Sequence, residues 1–356
     1  MRHATITGWG TCLPPTVLSN ADLERLTDTT DEWITTRTGI KERRISHVEV
    51  SDLAAVAARR ALAAAGLEPE DLDLVLLATC TPERLIPAAA THLQSKIGAS
   101  KSAAMDLNAA CSGFIYGLSV ADAMIRSGGA RRILLVGAEK LSYFLDFTDR
   151  STSVLFGDGA GAVVLEAAEG EGGLLASELG ADGDQADILC VPKSGTEGRV
   201  EAARAAGVHM EGPAVFRLAV EAMGDASTRV VEAAGLTLDD VDVLIPHQAN
   251  VRIIDATARR LKLDASQVYV NIASYGNTSA ATIPIALAEA LGEGRIRPGS
   301  NVVFAAFGGG LTWAAGVFRW GDRVEPLGTS DAALPPTDAD VFELLQGNID
   351  TFGRGV

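Results

Sequence analysis

Cysteine is scarce in this 356-residue chain, and the four present, Cys12, Cys80, Cys111 and Cys190, include no CxxC pair. That scatter argues against a disulfide framework and against a metal site of the zinc type, and reduced thiols are expected. Also missing is any apolar run long enough to span a bilayer, and the opening "MRHATITGWG" lacks the apolar stretch of a secretory signal. A cytoplasmic protein with no membrane contact is expected. Positive charge is in deficit, with 30 Lys and Arg against 46 Asp and Glu and a net charge of −16. The deficit argues against non-specific attraction to nucleic acid, and any acidic partner needs a local basic patch. What the chain does hold is 47% hydrophobic residues and 37 glycines, a composition suited to helices packed tightly on sheets. Its length allows two domains or one large duplicated one.

In chain order, Ala4 to Gly8 reads as a strand, and Ser19 or Asn20 caps a helix from near Ala21, with Glu24 placed to close a capping box. Ser51 caps a helix through Ala65, a strand runs from Leu72 to Ala78, and another helix runs from about Ala88 to Ile97. Such alternation marks an α/β fold. The polar segment "TDEWITTRTGIKERR" has two readings, a solvated loop or a nucleotide grip in which Trp33 stacks and Arg37 pairs with phosphate. Further on, "DLNAACSGFIYG" places Cys111 where a strand, Ser102 to Asn108, hands over to a helix, Ser112 to Arg126, with no charge before Asp122. A helix so poor in polar residues belongs inside a domain. Its first-turn N–H groups and dipole favour a thiolate at Cys111. "FGDGAGAVVLE" has the glycines of a phosphate loop, but an apolar β-branched run follows where a helix is required, so it reads as a turn into a strand. "AFGGGLTW" lacks the lysine of a P-loop, and its glycines let backbone N–H groups approach a ligand.

An internal repeat organises these pieces. "AAGLEPEDLDLVLLA", Ala64 to Ala78, returns as "AAGLTLDDVDVLIPH", Ala233 to His247, a displacement of 169 positions (235 − 66, glycine on glycine). The same offset maps Ile133 to Val136 onto Val302 to Ala305, Cys111 onto Ala280, and Ala78 onto His247. The Cys111 helix thus corresponds to the one opened by "GNTSAAT", with Asn277 just before its start. If the halves pack about a pseudo-twofold axis, the Cys111 turn, the His247 strand end and the Asn277 turn meet where active sites of open α/β sheets lie. Taken singly, each residue has a plain structural role: an inert core thiol, a hydrogen-bonded histidine, a helix N-cap. Together, at equivalent loop ends, Cys, His and Asn form a nucleophilic set.

With "DEWITTRTGI", "NAACSGF", "FGDGAGA", "PHQAN", "YGNTSAAT" and "AFGGGLTW" in order, residues 1 to 320 resemble the β-ketoacyl-acyl carrier protein synthase III family, condensing enzymes of the thiolase superfamily. The resemblance implies an α/β, thiolase-like, five-layer αβαβα fold, internally duplicated. It divides the chain into an N-terminal half with the nucleophile (1–170), a C-terminal half with His and Asn (171–320) and an extension (321–356). It implies that Cys111 is acylated, that His247 and Asn277 complete the site, and that the N–H groups of Cys111 and Gly309 hold an oxyanion. Trp33, Arg37, Arg150, Gly212, Phe216, Ala249 and Asn250 fall along the tunnel for coenzyme A. The substrates implied are an acyl-coenzyme A and malonyl-acyl carrier protein, with no metal or redox cofactor, in a homodimer that starts fatty acid or polyketide synthesis.

The chain adds its own argument for carrier docking. The helix after "HQAN" carries Arg252, Arg259, Arg260 and Lys262 in an otherwise acidic protein, and Arg252 and Arg259, seven apart, share a face. The plain alternative is a solvated basic face. Where some relatives set an aromatic residue to limit the acyl pocket, this sequence has Ile86. The extension from Gly321 to Val356 reads either as a mobile acidic tail or as a segment docked over a partner subunit, with Asp338 or Asp340 capping a short helix. Two other functions compete: an acyltransferase or acyl–acyl condensing enzyme of secondary metabolism built on the same acyl-cysteine, and a non-catalytic partner subunit, which is expected to lack Cys111.

Overall fold

The computed structural model describes residues 2–197 and 207–352; residues 1, 198–206 and 353–356, among them the last four of the extension, lie outside the described residues. The first part of the chain forms β1 (Arg2–Cys12), β2 (Thr16–Ser19), α1 (Asn20–Leu23), α2 (Asp31–Thr38), β3 (Glu42–Ile45), α3 (Val50–Ala65), β4 (Leu74–Ala78), α4 (Ala89–Ile97), β5 (Ala103–Leu107), α5 (Gly113–Arg126), β6 (Arg132–Lys140) and β7 (Asp158–Glu169). Then follow β8 (Gly173–Ala181), β9 (Leu189–Cys190), β10 (His209–Met210), α6 (Gly212–Ala233), β11 (Val243–Pro246), α7 (Val251–Arg260), α8 (Ile272–Tyr275), α9 (Thr282–Gly292), β12 (Asn301–Gly308), β13 (Thr312–Arg319) and α10 (Val341–Phe352).

The strands make two large sheets, ordered β1-β7-β6-β4-β5 and β11-β12-β13-β8. In the first, β4 is parallel to β6, which is antiparallel to β7, which is antiparallel to β1. The second repeats the pattern with β11, β12, β13 and β8. Even the register returns: Leu74 lies opposite Ile133, and Val243 opposite Val302, each residue 169 positions from its counterpart.

Burial explains the near-continuous apolar strands. In β4, Leu74 and Leu76 face a central core shared with Phe114, Ile115 and Leu118 of α5, while Val75 and Leu77 face an outer core with Leu53, Ala57 and Ala61 of α3. Both faces are covered, so neither needs polar residues. The central core also holds Ile283 and Leu287 of α9 together with Ile245 and Phe304 of the second sheet, whose outer face packs on Met223 and Val230 of α6 and Ile254 of α7. The layers therefore run helix, sheet, helix pair, sheet, helix, which is the five-layer duplicated arrangement expected. It also accounts for the polar-poor sequence of α5, which lies between the sheets.

Each central helix is preceded by a tight turn, Ala110–Ser112 before α5 and Ser279–Ala281 before α9. Each turn opens on a residue in the left-handed region, Ala110 (φ 45°) and Ser279 (φ 51°), again 169 apart. A side chain at positive φ is strained and persists only where its surroundings hold it. Gly137 of β6 shows how tight those surroundings are, because a Cβ there would fall 2.3 Å from the Ala280 carbonyl oxygen.

Several local expectations change. "DEWITTRT" is not a solvated loop but helix α2: the Thr30 side chain caps its start, Asp31 and Glu32 fill its first turn, Arg37 its last, and Gly39 ends it at φ 80°. End signals outweigh the absence of an apolar stripe. The first capping box is closed by Asp22, two residues earlier than expected, while Glu24 accepts from the Asp31 N–H at 2.7 Å. Ser51 is not a cap; α3 starts at Val50, and the Ser51 N–H is taken by Glu83 at 2.8 Å. The extension is docked on its own chain. Arg323 donates to the Thr7 and Ala65 carbonyls, the Leu327 N–H donates to Ala64, and α10, capped by Asp340, buries Val341 and Leu345.

Gly137→Ala is expected to destabilise the fold by about 1–3 kcal/mol, because backbone on the facing turn has nowhere to move. Urea unfolding checks this, and an unchanged midpoint contradicts the packing described.

Candidate active site

The apolar strand β11 ends at Pro246, and the next residue, His247, is fixed by its N–H, which donates to the Ala305 carbonyl at 2.7 Å. Cys111 is held in its turn against the end of β12, where a Cβ on Gly308 would come 2.6 Å from the Cys111 nitrogen. The Thr312 hydroxyl ties the glycine loop to that turn by donating to the Ala109 carbonyl at 2.9 Å. Asn277 is fixed through its backbone, whose N–H donates to Leu155 at 2.9 Å and whose carbonyl accepts from Gly157 at 3.0 Å. Cys111, His247, Asn277 and Gly309, from four segments, all line one cavity of about 790 Å³. The convergence expected from the repeat is met.

Burial sets the electrostatics. It pushes the Cys111 thiol up to about 12, a shift that a hydrogen bond with Ser279 opposes and the nearby Glu139 carboxyl reinforces. The expected thiolate is therefore not the resting form. The helix proper starts at Gly113, beyond the sulfur, and loss of solvent outweighs the pull of the helix end. Burial also lowers His247 to about 3, so the imidazole is neutral. Its Nδ1 lies 2.7 Å from the Thr282 hydroxyl, which is also 3.1 Å from the Ser279 carbonyl. The single Thr282 proton selects the tautomer. Turned to Nδ1, it leaves the ring proton on Nε2 as a donor; turned to Ser279, it leaves Nε2 as an acceptor. The Asn277 Oδ1 accepts from the Ser279 N–H at 2.8 Å, which orients the amide and turns its NH2 the other way.

Glu139 escaped sequence reasoning. Fully buried at the end of β6, it accepts from the Thr81 hydroxyl at 2.7 Å, from the Ser279 hydroxyl at 3.1 Å and from the Cys80 N–H at 3.1 Å, and burial raises its pKa. A lone carboxylate closing the apolar run "ILLVGAE" was the available signal.

The tunnel residues named by resemblance, Trp33, Arg37, Arg150, Gly212, Phe216, Ala249 and Asn250, all line the same cavity. The Arg37 and Arg150 guanidinium groups lie 5.0 and 5.2 Å from the Trp33 ring, and Arg252 lies 5.6 Å from the Phe216 ring. Asn250 also caps α7. Of the four residues expected to dock a carrier protein, only Arg252 borders the cavity; Arg259 and Lys262 are exposed on the surface, and Arg260 is paired with Asp225 of α6. Ile86 is 88% exposed and does not line the cavity of its own chain. Among the described residues, no three His, Cys, Asp or Glu side chains are grouped to hold a metal ion.

A cysteine, a neutral histidine and an oriented amide around one cavity of a duplicated five-layer fold define a thiolase-fold condensing enzyme, an acyltransferase. The chain belongs to the β-ketoacyl-[acyl-carrier-protein] synthase III family. The family descriptions "3-Oxoacyl-[acyl-carrier-protein (ACP)] synthase III" and its C-terminal counterpart match residues 105–183 and 231–320. Beta-ketoacyl-[acyl-carrier-protein] synthase III 2 of Vibrio vulnificus is 52% identical over 350 residues, 98% of this chain and 97% of its own. The synthase III of Roseiflexus castenholzii is 52% identical over 331 residues, 90% of this chain and 98% of its own. The crystal structure of 3-oxoacyl-[acyl-carrier-protein] synthase III from Aquifex aeolicus superposes with a TM-score of 0.85 at 47% identity, over 89% of this chain and all of that one. Neither the secondary-metabolism alternative nor the non-catalytic one is favoured by these likenesses.

Alkylation of Cys111 by iodoacetamide is expected to accelerate about tenfold per pH unit with no plateau below about pH 10, since only the thiolate reacts. The adduct is followed by intact mass with Cys111→Ser as control. A plateau near neutral pH would show a resident thiolate.

Proposed function

We propose that Cys111 takes an acyl group from a coenzyme A thioester and then gives it up in a decarboxylative condensation with malonyl-acyl carrier protein, the starting step of fatty acid or polyketide synthesis. The observation that carries this is the convergence of Cys111, His247 and Asn277 on one cavity whose lining also includes Arg37, Trp33 and Arg150. In this reading residues 1–170 supply the nucleophile, residues 171–320 the histidine and amide, and residues 321–356 form an extension.

Because thiol and imidazole are both neutral, the first step begins with Nε2 as the acceptor. Sγ attacks the thioester carbonyl as its proton passes to Nε2, and the N–H groups of Cys111 and Gly309 receive the oxyanion. Coenzyme A leaves as its thiol, carrying that proton away. Between the steps the imidazole exchanges with solvent, taking a proton at Nε2 and releasing the one at Nδ1; Thr282 then turns to donate to Nδ1, and Nε2–H is a donor. Carbon dioxide leaves the malonyl thioester, and the negative charge that builds on its oxygen is shared by His247 Nε2–H and the Asn277 NH2. A neutral imidazole suits this work, since it donates without first having to lose a charge. The carbanion attacks the acyl carbonyl on Cys111, the C–S bond breaks, the sulfur leaves as a thiolate that takes one proton from solvent to restore the resting thiol, and the β-ketoacyl carrier protein departs. Neither step changes the oxidation state of a protein group, so the cycle calls for no redox cofactor, and the charges are met by hydrogen-bond donors without a metal.

The phosphate-rich end of coenzyme A suits the Arg37–Trp33–Arg150 stack, where cations flank an aromatic face. Arg252, at the cavity and on an otherwise acidic molecule, suits an acidic carrier protein. A homodimer fits β5, an edge strand with Met105 exposed. No helix among the described residues is long and apolar enough to cross a membrane, in keeping with a cytoplasmic site of action.

Intact mass tests the sequence of events. Wild-type protein mixed with acyl-coenzyme A gains an acyl group, and malonyl carrier removes it. Asn277→Ala is expected to gain the group at a near-normal rate but release it ~10²-fold more slowly, the cost of one oxyanion donor. Equal slowing of both steps would refute the division of roles. Arg252→Glu should raise the KM for malonyl carrier roughly tenfold, leaving acylation unchanged; a KM that stays put rules Arg252 out as the docking cation.

A further inference from the structure

The turn after β6, Leu141–Phe144, is where the cavity wall is built, since Leu141 and Phe144 both line it. Four successive backbone carbonyls, Ser142 to Leu145, close this turn; Ser142 accepts from the Leu145 N–H at 3.3 Å inside it, and a helix so short has few such partners to offer. All four are satisfied from elsewhere in the chain. The Val208 N–H donates to Phe144 at 2.9 Å. The Asn348 side-chain NH2, on α10, lies 2.9, 3.1 and 2.9 Å from the carbonyls of Ser142, Tyr143 and Leu145. At the other end of the turn, the Ser142 N–H and hydroxyl donate to the buried Asp158 carboxyl at 2.9 and 2.6 Å. The turn is therefore pinned at its start by β7 and at its end by the extension.

Side-chain packing runs through the same layer. Val341 and Leu345 of α10 belong to one apolar cluster with Leu141, Val154, Phe156 and Val208, four residues that also line the cavity. Arg25 lies 3.9 Å from the Phe342 ring and adds a second anchor for α10. The cluster thus has two faces: one is the cavity wall and the other is the extension. Arg37 and Arg150 are gathered on other segments, around Trp33 at the edge of the cluster; the wall itself is apolar and suits the hydrocarbon part of an acyl thioester rather than its nucleotide.

We propose that α10 sets the acyl pocket from behind, with Asn348 as a positioning residue that holds the Leu141–Phe144 wall in place and so determines which acyl groups Cys111 accepts. This rests on the acyl-transfer reading above and adds to it a specificity role for the extension. Asn348 touches no substrate; it acts through the turn. Discrimination by an apolar pocket depends on a wall that does not yield, and a single methylene is worth about tenfold or more when the wall is fixed.

The test uses the full chain and three variants: Asn348→Ala, which removes the three hydrogen bonds; Leu345→Ala, which thins the packing; and Asn348→Gln, which keeps the amide. Cys111 acylation is followed by intact mass with a series of straight and branched acyl-coenzyme A thioesters, alongside Cys111 alkylation by iodoacetamide and thermal unfolding. In Asn348→Ala and Leu345→Ala the ratio of kcat/KM between the best and the poorer primers is expected to fall at least ~threefold, with the alkylation rate unchanged. Asn348→Gln should recover part of the ratio. If the ratio holds in both alanine variants, whatever happens to unfolding temperature, the extension is a stability element and the proposal fails. It fails equally if alkylation slows in step with acylation, because the damage is then general. Failure of wild-type Cys111 to take any acyl group is a separate outcome that removes the acyl-transfer reading itself.

Discussion

Backbone meets backbone at the centre of this molecule, and that contact constrains everything around it. The turn at Ser279–Ala281 presses on Gly137 so closely that no Cβ fits, and the turn carrying Cys111 presses in the same way on Gly308. Sheets and helices can come this near only where side chains are absent, which is why glycine interrupts the apolar strand β6 and ends the apolar strand β12. The two central helices then follow from their turns, and the apolar layers on either side follow from the helices.

Keeping water out of that centre has an electrostatic consequence. Burial drives both Cys111 and His247 toward their uncharged forms and raises Glu139, the one carboxyl in the cluster, which is compensated by donors from Thr81, Cys80 and Ser279. A site of this kind holds little charge until substrate brings it. Charge that arrives there meets hydrogen-bond donors rather than water, in surroundings where each donor counts for more. Ser279 takes part three times: its N–H orients Asn277, its hydroxyl serves Glu139 and Cys111, and its carbonyl competes for the Thr282 proton.

Much of this was legible in the amino-acid sequence because repetition is visible without contacts. The 169-residue offset brought His247 and Asn277 to the level of Cys111 before any sheet was seen, and the shared strand register bears it out. Helix α2 was less legible, since its evidence lies in end signals rather than in a periodic apolar stripe. Glu139 had no period at all; a single carboxylate gains meaning only from the donors around it, and those come from the loop after β4 and from the Ser279 turn. The ionisation of Cys111 was misjudged because local geometry, a cysteine near a helix start, can be read from sequence, whereas the depth of burial opposing it cannot. The docking of the extension was hidden for a related reason: the partners of Asn348 are about 200 positions away.

The strain at Ala110 and Ser279 carries a message about ancestry. Only one of the two elbows presents a nucleophile, yet the silent one keeps the same costly left-handed residue, with Ala280 standing where the sulfur would be. Duplication of one unit explains the kinship, and the strain recurs whether or not the turn carries a thiol, so the bend has a use of its own. The second elbow holds no sulfur and instead orients an amide through the Ser279 N–H, so one repeated shape displays a thiol on one side of the cavity and aims an amide from the other.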